Sequence, residues 1–137
     1  MDVFVYVHPA VSVLTLGLCF WVFRDGYALR GQRLRRRPAG IERRVRHVRW
    51  APWAVGAMVL SGFLGLASAV VLRGWKPFGT AHGLMAGVCL GLYVAVWRWG
   101  QRLVLRQAAS PGVHGVLGLL ALMTTGLTAI LGIALLP

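Results

Sequence analysis

Long apolar stretches alternate with short arginine-rich stretches along the chain. Crossing the hydrocarbon layer of a bilayer takes about 20 helical residues. Four runs without charged residues are long enough, namely Val3–Phe23, Ala51–Leu72, Pro77–Trp97 and Ala108–Pro137. Their Leu, Val, Ala and Gly content is typical of membrane-spanning helices. The pattern predicts four transmembrane helices, at about 3–24, 47–72, 80–99 and 111–136, in one domain of residues 1–137.

The composition excludes a soluble domain. Apolar residues make up 58% of the chain and charged residues 13%, against about 45–50% and about 25% in soluble domains. The same hydrophobicity excludes intrinsic disorder. Cys19 and Cys89 both lie inside apolar runs, where we expect buried thiols rather than a disulfide. A polytopic membrane protein remains.

The positive charges are confined to alternate connections between the predicted helices. Of 15 Lys and Arg residues, ten fall between Arg24 and Arg49 and three between Arg98 and Arg106. This placement indicates membrane orientation and contact with anionic lipid, and it argues against nucleic-acid binding. By the positive-inside rule both basic segments face the cytoplasm. The N- and C-termini are then expected outside, on the periplasmic side of a bacterial inner membrane.

Local signals refine the helix ends. Ser110 followed by Pro111 predicts the start of the fourth helix, and Thr80 can cap the third. The segment 24–49 is expected mainly as a cytoplasmic loop, with Ile41 onward extending the second helix out of the membrane. Short connections predict an all-α, up-down-up-down four-helix bundle. Helices one and three, and helices two and four, then lie on its diagonals.

One histidine lies at or near the start of each predicted helix: His8, His47, His82 and His114. Because the helices alternate in direction, we expect His8 and His82 near the outer surface and the other two near the cytoplasmic surface. Each pair can supply both axial nitrogens to one haem iron. This predicts two haem b groups with irons about 20 Å apart. The alternatives are interfacial or capping histidines, or single ligation of a chlorophyll-type pigment.

Several glycines lie on the second, third and fourth helices, where they either leave room for flat ligands or allow close helix packing. The positions are Gly56, Gly62 and Gly65, then Gly83, Gly87 and Gly91, and finally Gly115, Gly118, Gly126 and Gly132. Gly126 and Gly132 are expected beside the haem of His8 and His82. The sequence leaves both explanations open.

In their joint order these residues resemble the four-helix core of the cytochrome b561 family, over nearly the whole chain. The motifs are His8-Pro9 and Trp21-Val22-Phe23-Arg24 on the first helix, Arg46-His47 at the second, Thr80-Ala81-His82-Gly83 with Gly87 on the third, and His114 with Gly118 and Gly126 on the fourth. The resemblance implies one haem shared by the first and third helices and one shared by the second and fourth.

The chain departs from the larger eukaryotic members of that family, which have six helices. Their cytoplasmic ascorbate site uses basic residues near the end of the first core helix, and only Arg24 matches it here. This makes Arg24 a candidate for an electron-donor site. Arg46, Arg49 and Arg106 are candidates for contacts with haem propionates.

We therefore expect transmembrane electron transfer by a b-type dihaem cytochrome. Its partners would be redox proteins or quinone, and it could serve as a membrane subunit of a larger redox complex. The competing expectation is a non-redox structural or pigment-holding membrane subunit of such an assembly. A small multidrug-type transporter ranks last, because the predicted spans lack the membrane-embedded carboxylate that its mechanism uses.

Overall fold

The computed structural model consists of four long helices and describes residues 6–38, 40–72, 74, 76, 78–107 and 109–135. The helices are α1 (Val7–Leu34), α2 (Ile41–Ala67), α3 (Ala81–Val104) and α4 (Pro111–Ile133), and a π-helical turn, Ser68–Leu72, prolongs α2. Across these described ranges no β-strand is present. The predicted helix positions 3–5 and 136, and Arg73 and Trp75 of the predicted outward turn, lie outside the described residues.

All four helices are long and apolar enough to cross a membrane. Large apolar side chains such as Leu14, Phe63 and Ile130 are exposed on their outward faces. A continuous surface of this kind fits lipid rather than water. The predicted all-helical, multi-pass membrane protein is confirmed at this level.

The predicted helix starts are confirmed at two places. The Thr80 hydroxyl accepts a hydrogen bond from the Gly83 N–H at 3.1 Å, which opens α3. The Ser110 hydroxyl accepts one from the Val113 N–H at 3.5 Å, and Pro111 occupies the first position of α4. Proline fits there because the first turn of a helix has no intrahelical partner for its N–H groups.

The basic segment between residues 24 and 49 is largely helical. The predicted extension of the second helix from Ile41 is confirmed, and the loop predicted before it is wrong as far as Leu34. Helix α1 continues to Leu34 and α2 begins at Ile41, which leaves residues 35–40 as the connection. Hydropathy marks only the part of a helix that lies in the membrane. Arginine, glutamine and leucine are good helix formers, so the chain remains helical beyond the apolar run.

The four helices form two hairpins. Within each hairpin, α1 packs along α2 and α3 packs along α4, whereas α1 with α4 and α2 with α3 pack less extensively. Helices α1 and α3 therefore lie on one diagonal and α2 and α4 on the other, as expected from the short connections. Cys19 and Cys89 are both buried and form no disulfide, as predicted.

The buried side chains lie at the same distances from the histidine on every helix. Seven residues after it come Thr15, Ala54, Cys89 and Ala121, and eleven residues after it come Cys19, Met58, Tyr93 and Thr125, all of them buried. These spacings correspond to about two and about three helical turns, so all members lie on the histidine face of their helix. All four helices thus turn the same face inward.

Antiparallel packing brings these positions together in two layers of four residues. The Cys89 thiol lies 3.2 Å from the Thr125 hydroxyl, and the Cys19 thiol donates to the Ala54 carbonyl at 3.8 Å. In both contacts one partner lies seven residues after its histidine and the other lies eleven after. The core between the two ends of the bundle is therefore filled by these polar and apolar side chains.

Candidate functional site

The four histidines meet in two pairs across the diagonals of the bundle. The ring centroids of His8 and His82 are 6.2 Å apart, and their planes are inclined at 71°. Those of His47 and His114 are 6.1 Å apart and inclined at 83°. All four side chains are half-buried. The structure thus brings together the histidines that the sequence paired.

The separation within each pair matches that of two imidazoles on opposite sides of one metal ion. A metal ion lies about 2 Å from a ligating imidazole nitrogen, and the ring centroid lies about 1 Å behind that nitrogen. Two such ligands therefore have their centroids about 6 Å apart. Within the described part of the chain, no cluster of three or more His, Cys, Asp and Glu residues could hold a metal. Each site offers two nitrogen ligands.

Backbone carbonyls fix the tautomer of two of the histidines. His47 Nδ1 lies 3.0 Å from the Val22 carbonyl oxygen, and His82 Nδ1 lies 2.8 Å from the Thr128 carbonyl oxygen. A carbonyl oxygen can only accept, so each Nδ1 donates. The neutral ring then has its lone pair on Nε2, which is the state that binds a metal.

The remaining two histidines have different surroundings at Nδ1. His8 Nδ1 lies 3.3 Å from the Ser12 hydroxyl, which in turn lies 2.8 Å from the Ser61 hydroxyl. His114 Nδ1 is buried and makes no hydrogen bond of good geometry among the described residues, although the Val96 carbonyl is close enough to interact with it. Val96 corresponds to Val22 and Thr128, because each lies fourteen residues after the histidine of its own helix.

Each imidazole packs against a glycine of the neighbouring helix in its hairpin. A Cβ added to Gly65 would lie 2.8 Å from His8 Cε1, and one added to Gly26 would lie 2.9 Å from His47 Cε1. The equivalent distances are 2.9 Å from Gly132 to His82 and 3.2 Å from Gly100 to His114. A side chain at these positions would meet the ring, so glycine allows the backbone to support it directly.

These glycines obey a spacing that identifies an internal repeat. Each lies 18 residues after the histidine of its own helix, in the pairs His8 and Gly26, His47 and Gly65, His82 and Gly100, and His114 and Gly132. Eighteen residues make five helical turns, so both members lie on one face. Gly26 and Gly100 were missed from the sequence, and this constant spacing is the signal that would have found them.

The other predicted small positions have varied surroundings. A side chain at Gly62 would meet Leu90, and side chains at Gly83 and Gly87 would meet Phe78. Gly56 and Gly91 are exposed, with nothing within 4 Å of a Cβ, so neither allows close packing against a neighbouring helix. A Cβ added at Gly126 would also have nothing within 4 Å. A Cβ added at Gly115 would lie 3.6 Å from the Arg30 side chain, and one at Gly118 would lie 4.0 Å from the Phe23 ring.

The two histidine pairs lie far apart along the bundle. On each helix the histidine of one pair and the glycine that supports the other pair are 18 residues apart, which corresponds to about 27 Å. The carbonyls that hold His47 and His82 lie four residues further inward at each end, which sets a lower limit of about 15 Å. The separation of about 20 Å expected from the sequence falls within this range.

A buried ion pair lies next to the His47–His114 pair. Asp25 is 2% exposed, and both of its carboxylate oxygens accept from the Arg46 guanidinium, one of them at 2.9 Å. Arg46 also lies over the Trp21 ring. Asp25 precedes Gly26 and Arg46 precedes His47. Arg46, a predicted propionate contact, therefore already binds a carboxylate of its own chain.

The other candidate arginines are exposed. Arg24 lies 3.9 Å from Asp25, with 61% of its side chain exposed. Arg49 lies two residues after His47 and hence on the opposite side of α2. Arg106 follows the C-terminal end of α3 with a left-handed φ of 56°. None of the three lies on the inward face that carries the histidines.

Comparison with known proteins adds no relative. No protein-family model, curated protein or solved structure matches the chain.

Proposed function

We propose that this protein is a b-type dihaem cytochrome that carries electrons across a bilayer. His8 and His82 would hold one haem, and His47 and His114 the other. The observation that supports this best is the pairing of all four histidines across the diagonals, with 6.2 and 6.1 Å between ring centroids. A haem bound by two histidines supplies a reversible one-electron change at its iron.

The chain's own residues prepare the imidazoles for this role. The carbonyls of Val22 and Thr128 hold His47 and His82 with Nε2 free to bind metal. Such a partner fixes the orientation of the ring and raises its basicity. The four glycines bring the neighbouring backbone against each ring, so the histidine is held on a rigid helix. A preorganised pair of this kind favours six-coordinate binding.

Each histidine pair joins the two hairpins. The hairpins pack less against each other than the helices within a hairpin do, so a flat group would enter between them at the least cost in helix contacts. The outward faces are apolar, so lipid rather than water surrounds the sites. Exclusion of water keeps a bound group from side reactions.

The arginine distribution supports an orientation for this proposal. The basic end of the bundle, comprising the C-terminal ends of α1 and α3 and the N-terminal ends of α2 and α4, would face the cytoplasm. Both termini would then lie on the periplasmic side of a bacterial inner membrane. Exposed Arg24, Arg49 and Arg106 would meet anionic lipid, a redox protein or quinone at the cytoplasmic surface. A larger redox complex is the setting in which such a subunit would work.

Haem stoichiometry tests the assignment of the histidines. We expect two b-type haems per chain in the purified protein, measured as pyridine haemochrome. His8→Ala and His82→Ala should each leave one haem, and so should His47→Ala and His114→Ala. His8→Ala combined with His82→Ala should also leave one, because both ligands belong to the same site. His8→Ala combined with His47→Ala should leave none.

Two results would contradict this assignment. A wild-type chain without haem would support the alternative of a non-redox or pigment-holding subunit. If the His8→Ala and His82→Ala double variant lost both haems while it remained folded by circular dichroism, the diagonal pairing would be wrong.

Labelling of the termini tests the orientation. A tag at the C-terminus should react with an impermeant reagent added to spheroplasts, because the positive-inside rule puts the arginines in the cytoplasm. In an Arg36→Cys variant the new thiol lies in the basic connection. It should react with the impermeant reagent only after the membrane has been permeabilised. The reverse pattern would overturn the orientation and leave the haem assignment untouched.

A further inference from the structure

Asp25 and Arg46 interrupt the repeat that the four helices otherwise share. Asp25 lies 17 residues after the histidine of α1, and the equivalent residues of the other helices are Leu64, Trp99 and Leu131. Arg46 directly precedes the histidine of α2, where the other helices have Val7, Ala81 and Val113. Apolar residues thus occupy the remaining equivalent positions. The contact between a histidine and the glycine of the neighbouring helix therefore forms without an ion pair on the other helices.

The carboxylate of Asp25 is held tightly and shielded from water, whereas Arg46 is partly exposed. Only 3% of the Asp25 side chain is exposed, and 39% of the Arg46 side chain. Bidentate contact with a guanidinium is the strongest geometry for a carboxylate. The Arg46 guanidinium lies 5.9 Å from the centre of the Trp21 ring, and Trp21 meets Trp50 edge to face at 5.6 Å. The Arg46 guanidinium thus contacts both the Asp25 carboxylate and the Trp21 ring.

Both members of the pair lie beside the support of His47. Gly26, against which the His47 ring packs, follows Asp25 directly. Val22, whose carbonyl accepts from His47 Nδ1, lies one turn earlier on the same helix. The ion pair joins the backbone on either side of this contact, α1 next to Gly26 and α2 next to His47. It therefore fixes α1 and α2 where the ring meets its partners.

At the His8–His82 pair the observed side-chain contacts are with neutral hydroxyls: His8 Nδ1 lies 3.3 Å from the Ser12 hydroxyl, which lies 2.8 Å from the Ser61 hydroxyl. A fixed charge acts strongly in a region of low dielectric constant. A metal site beside Asp25 and Arg46 therefore differs electrostatically from one beside two serines.

We propose that the Asp25–Arg46 ion pair positions His47 and sets the reduction potential of the His47–His114 site apart from that of the His8–His82 site. The inference rests on the proposed function. Both residues are positioning residues, since neither belongs to a histidine pair. The two charges oppose each other: the carboxylate favours the oxidised, more positive site, and the guanidinium disfavours it.

Opposite shifts of the potential test this inference. Each variant is made in the full-length chain carrying His82→Ala, which leaves the His47–His114 haem alone, and the potential is measured by spectroscopic redox titration. Asp25→Asn should raise the potential and Arg46→Gln should lower it. The double variant should lie between the two. Arg44→Gln, which removes an exposed arginine of the same helix, is the matched control and should shift the potential least.

Positioning is read from the electron paramagnetic resonance spectrum of the oxidised haem, which reports the angle between the imidazole planes. Asp25→Asn should change this spectrum in the His82→Ala chain, and Asp25→Glu should restore it in part. The same substitution in a chain carrying His47→Ala should leave the spectrum of the His8–His82 haem unchanged. If Asp25→Asn instead causes loss of haem, a loss confined to the His47–His114 site supports the positioning role. The reduction potential is then measured in the Asp25→Glu and Arg46→Lys variants.

Several results would overturn the inference and leave the proposed function standing. These are shifts of Asp25→Asn and Arg46→Gln in the same direction, shifts no larger than that of Arg44→Gln, or equal effects on the two haem sites. Failure of the proposed function is distinguishable, because the wild-type chain would then bind no haem, and the inference would fall with it.

Discussion

At one end of the bundle the His8–His82 pair contacts serine hydroxyls, whereas at the basic end the His47–His114 pair lies beside the Asp25–Arg46 ion pair. The distances within the two pairs are nearly equal, at 6.2 and 6.1 Å. The supporting glycines also occupy equivalent places. Ring spacing therefore comes from the geometry that the four helices share. The environment of each pair comes from the few positions where the helices differ.

The shared geometry has a simple physical origin. Residues 7, 11 and 18 positions after each histidine lie on the same face as the histidine itself. When two such helices run antiparallel, the histidine of one comes level with the glycine of the other. The contact needs no specific loop, and it is repeated in both hairpins and at both ends. Four equivalent contacts thus produce two equivalent pairs.

Replacing a supporting glycine with a larger residue should have the largest effect, because it should abolish haem binding at one of the two otherwise equivalent sites. In Gly26→Val the new side chain would occupy the place of the His47 ring, since even a Cβ lies 2.9 Å from Cε1. Gly65→Val would do the same to His8, from 2.8 Å. We expect each variant to lose one of two haems, a different one in each case. Pyridine haemochrome and the redox titration together identify which haem remains.

Gly17→Val and Gly56→Val are the matched controls for this experiment. Both positions lie on α1 and α2, are exposed and have nothing within 4 Å of a Cβ. These variants should keep two haems. If Gly26→Val kept both haems as well, the supporting role of the repeated glycines would be refuted at the basic end.

Loss of a hydroxyl near His8 should have a smaller effect. In Ser61→Ala the 2.8 Å contact with Ser12 disappears, and a hydrogen bond of this kind contributes about 1 kcal/mol net. The rate of haem release from the His8–His82 site should therefore rise by up to about fivefold. The measurement is haem transfer to apomyoglobin, followed in chains that carry His47→Ala.

Thr128→Val is the control for the serine variant. The Thr128 hydroxyl donates to the Thr124 carbonyl, and His82 uses only the main-chain oxygen of Thr128. The substitution should leave haem release unchanged. An effect of Ser61→Ala on the His47–His114 site, measured in the His82→Ala chain, would show that the two ends are not independent.

The fold was largely predictable because hydropathy and capping signals are local. Four apolar runs gave the four helices, and Thr80 and Ser110 marked two of the starts. The helical extension of α1 to Leu34 was missed because charged residues end the apolar run without ending the helix. Hydropathy measures transfer to lipid, and helix formation continues in water where propensity allows it.

The pairing of the histidines at the candidate site was predictable, and the residues that support them were not. The order of the histidines and the alternation of the helices suffice to pair them. The Asp25–Arg46 ion pair joins residues 21 positions apart, and only the register between α1 and α2 determines that they meet. Gly56 and Gly91 were grouped with the other glycines by residue type, but they are exposed on the outward faces of their helices. Composition cannot specify a face, whereas spacing from the histidine can.

The diagonal pairing has a consequence for how the protein matures during synthesis. Neither hairpin contains both members of a histidine pair. A nascent chain with only α1 and α2 in the membrane therefore has no complete histidine pair. The His8–His82 pair exists once α3 has been inserted, and Gly132 supports it only when α4 follows. The His47–His114 pair also requires α4. Any group that needs both histidines of the basic end could therefore bind only after insertion of the last helix.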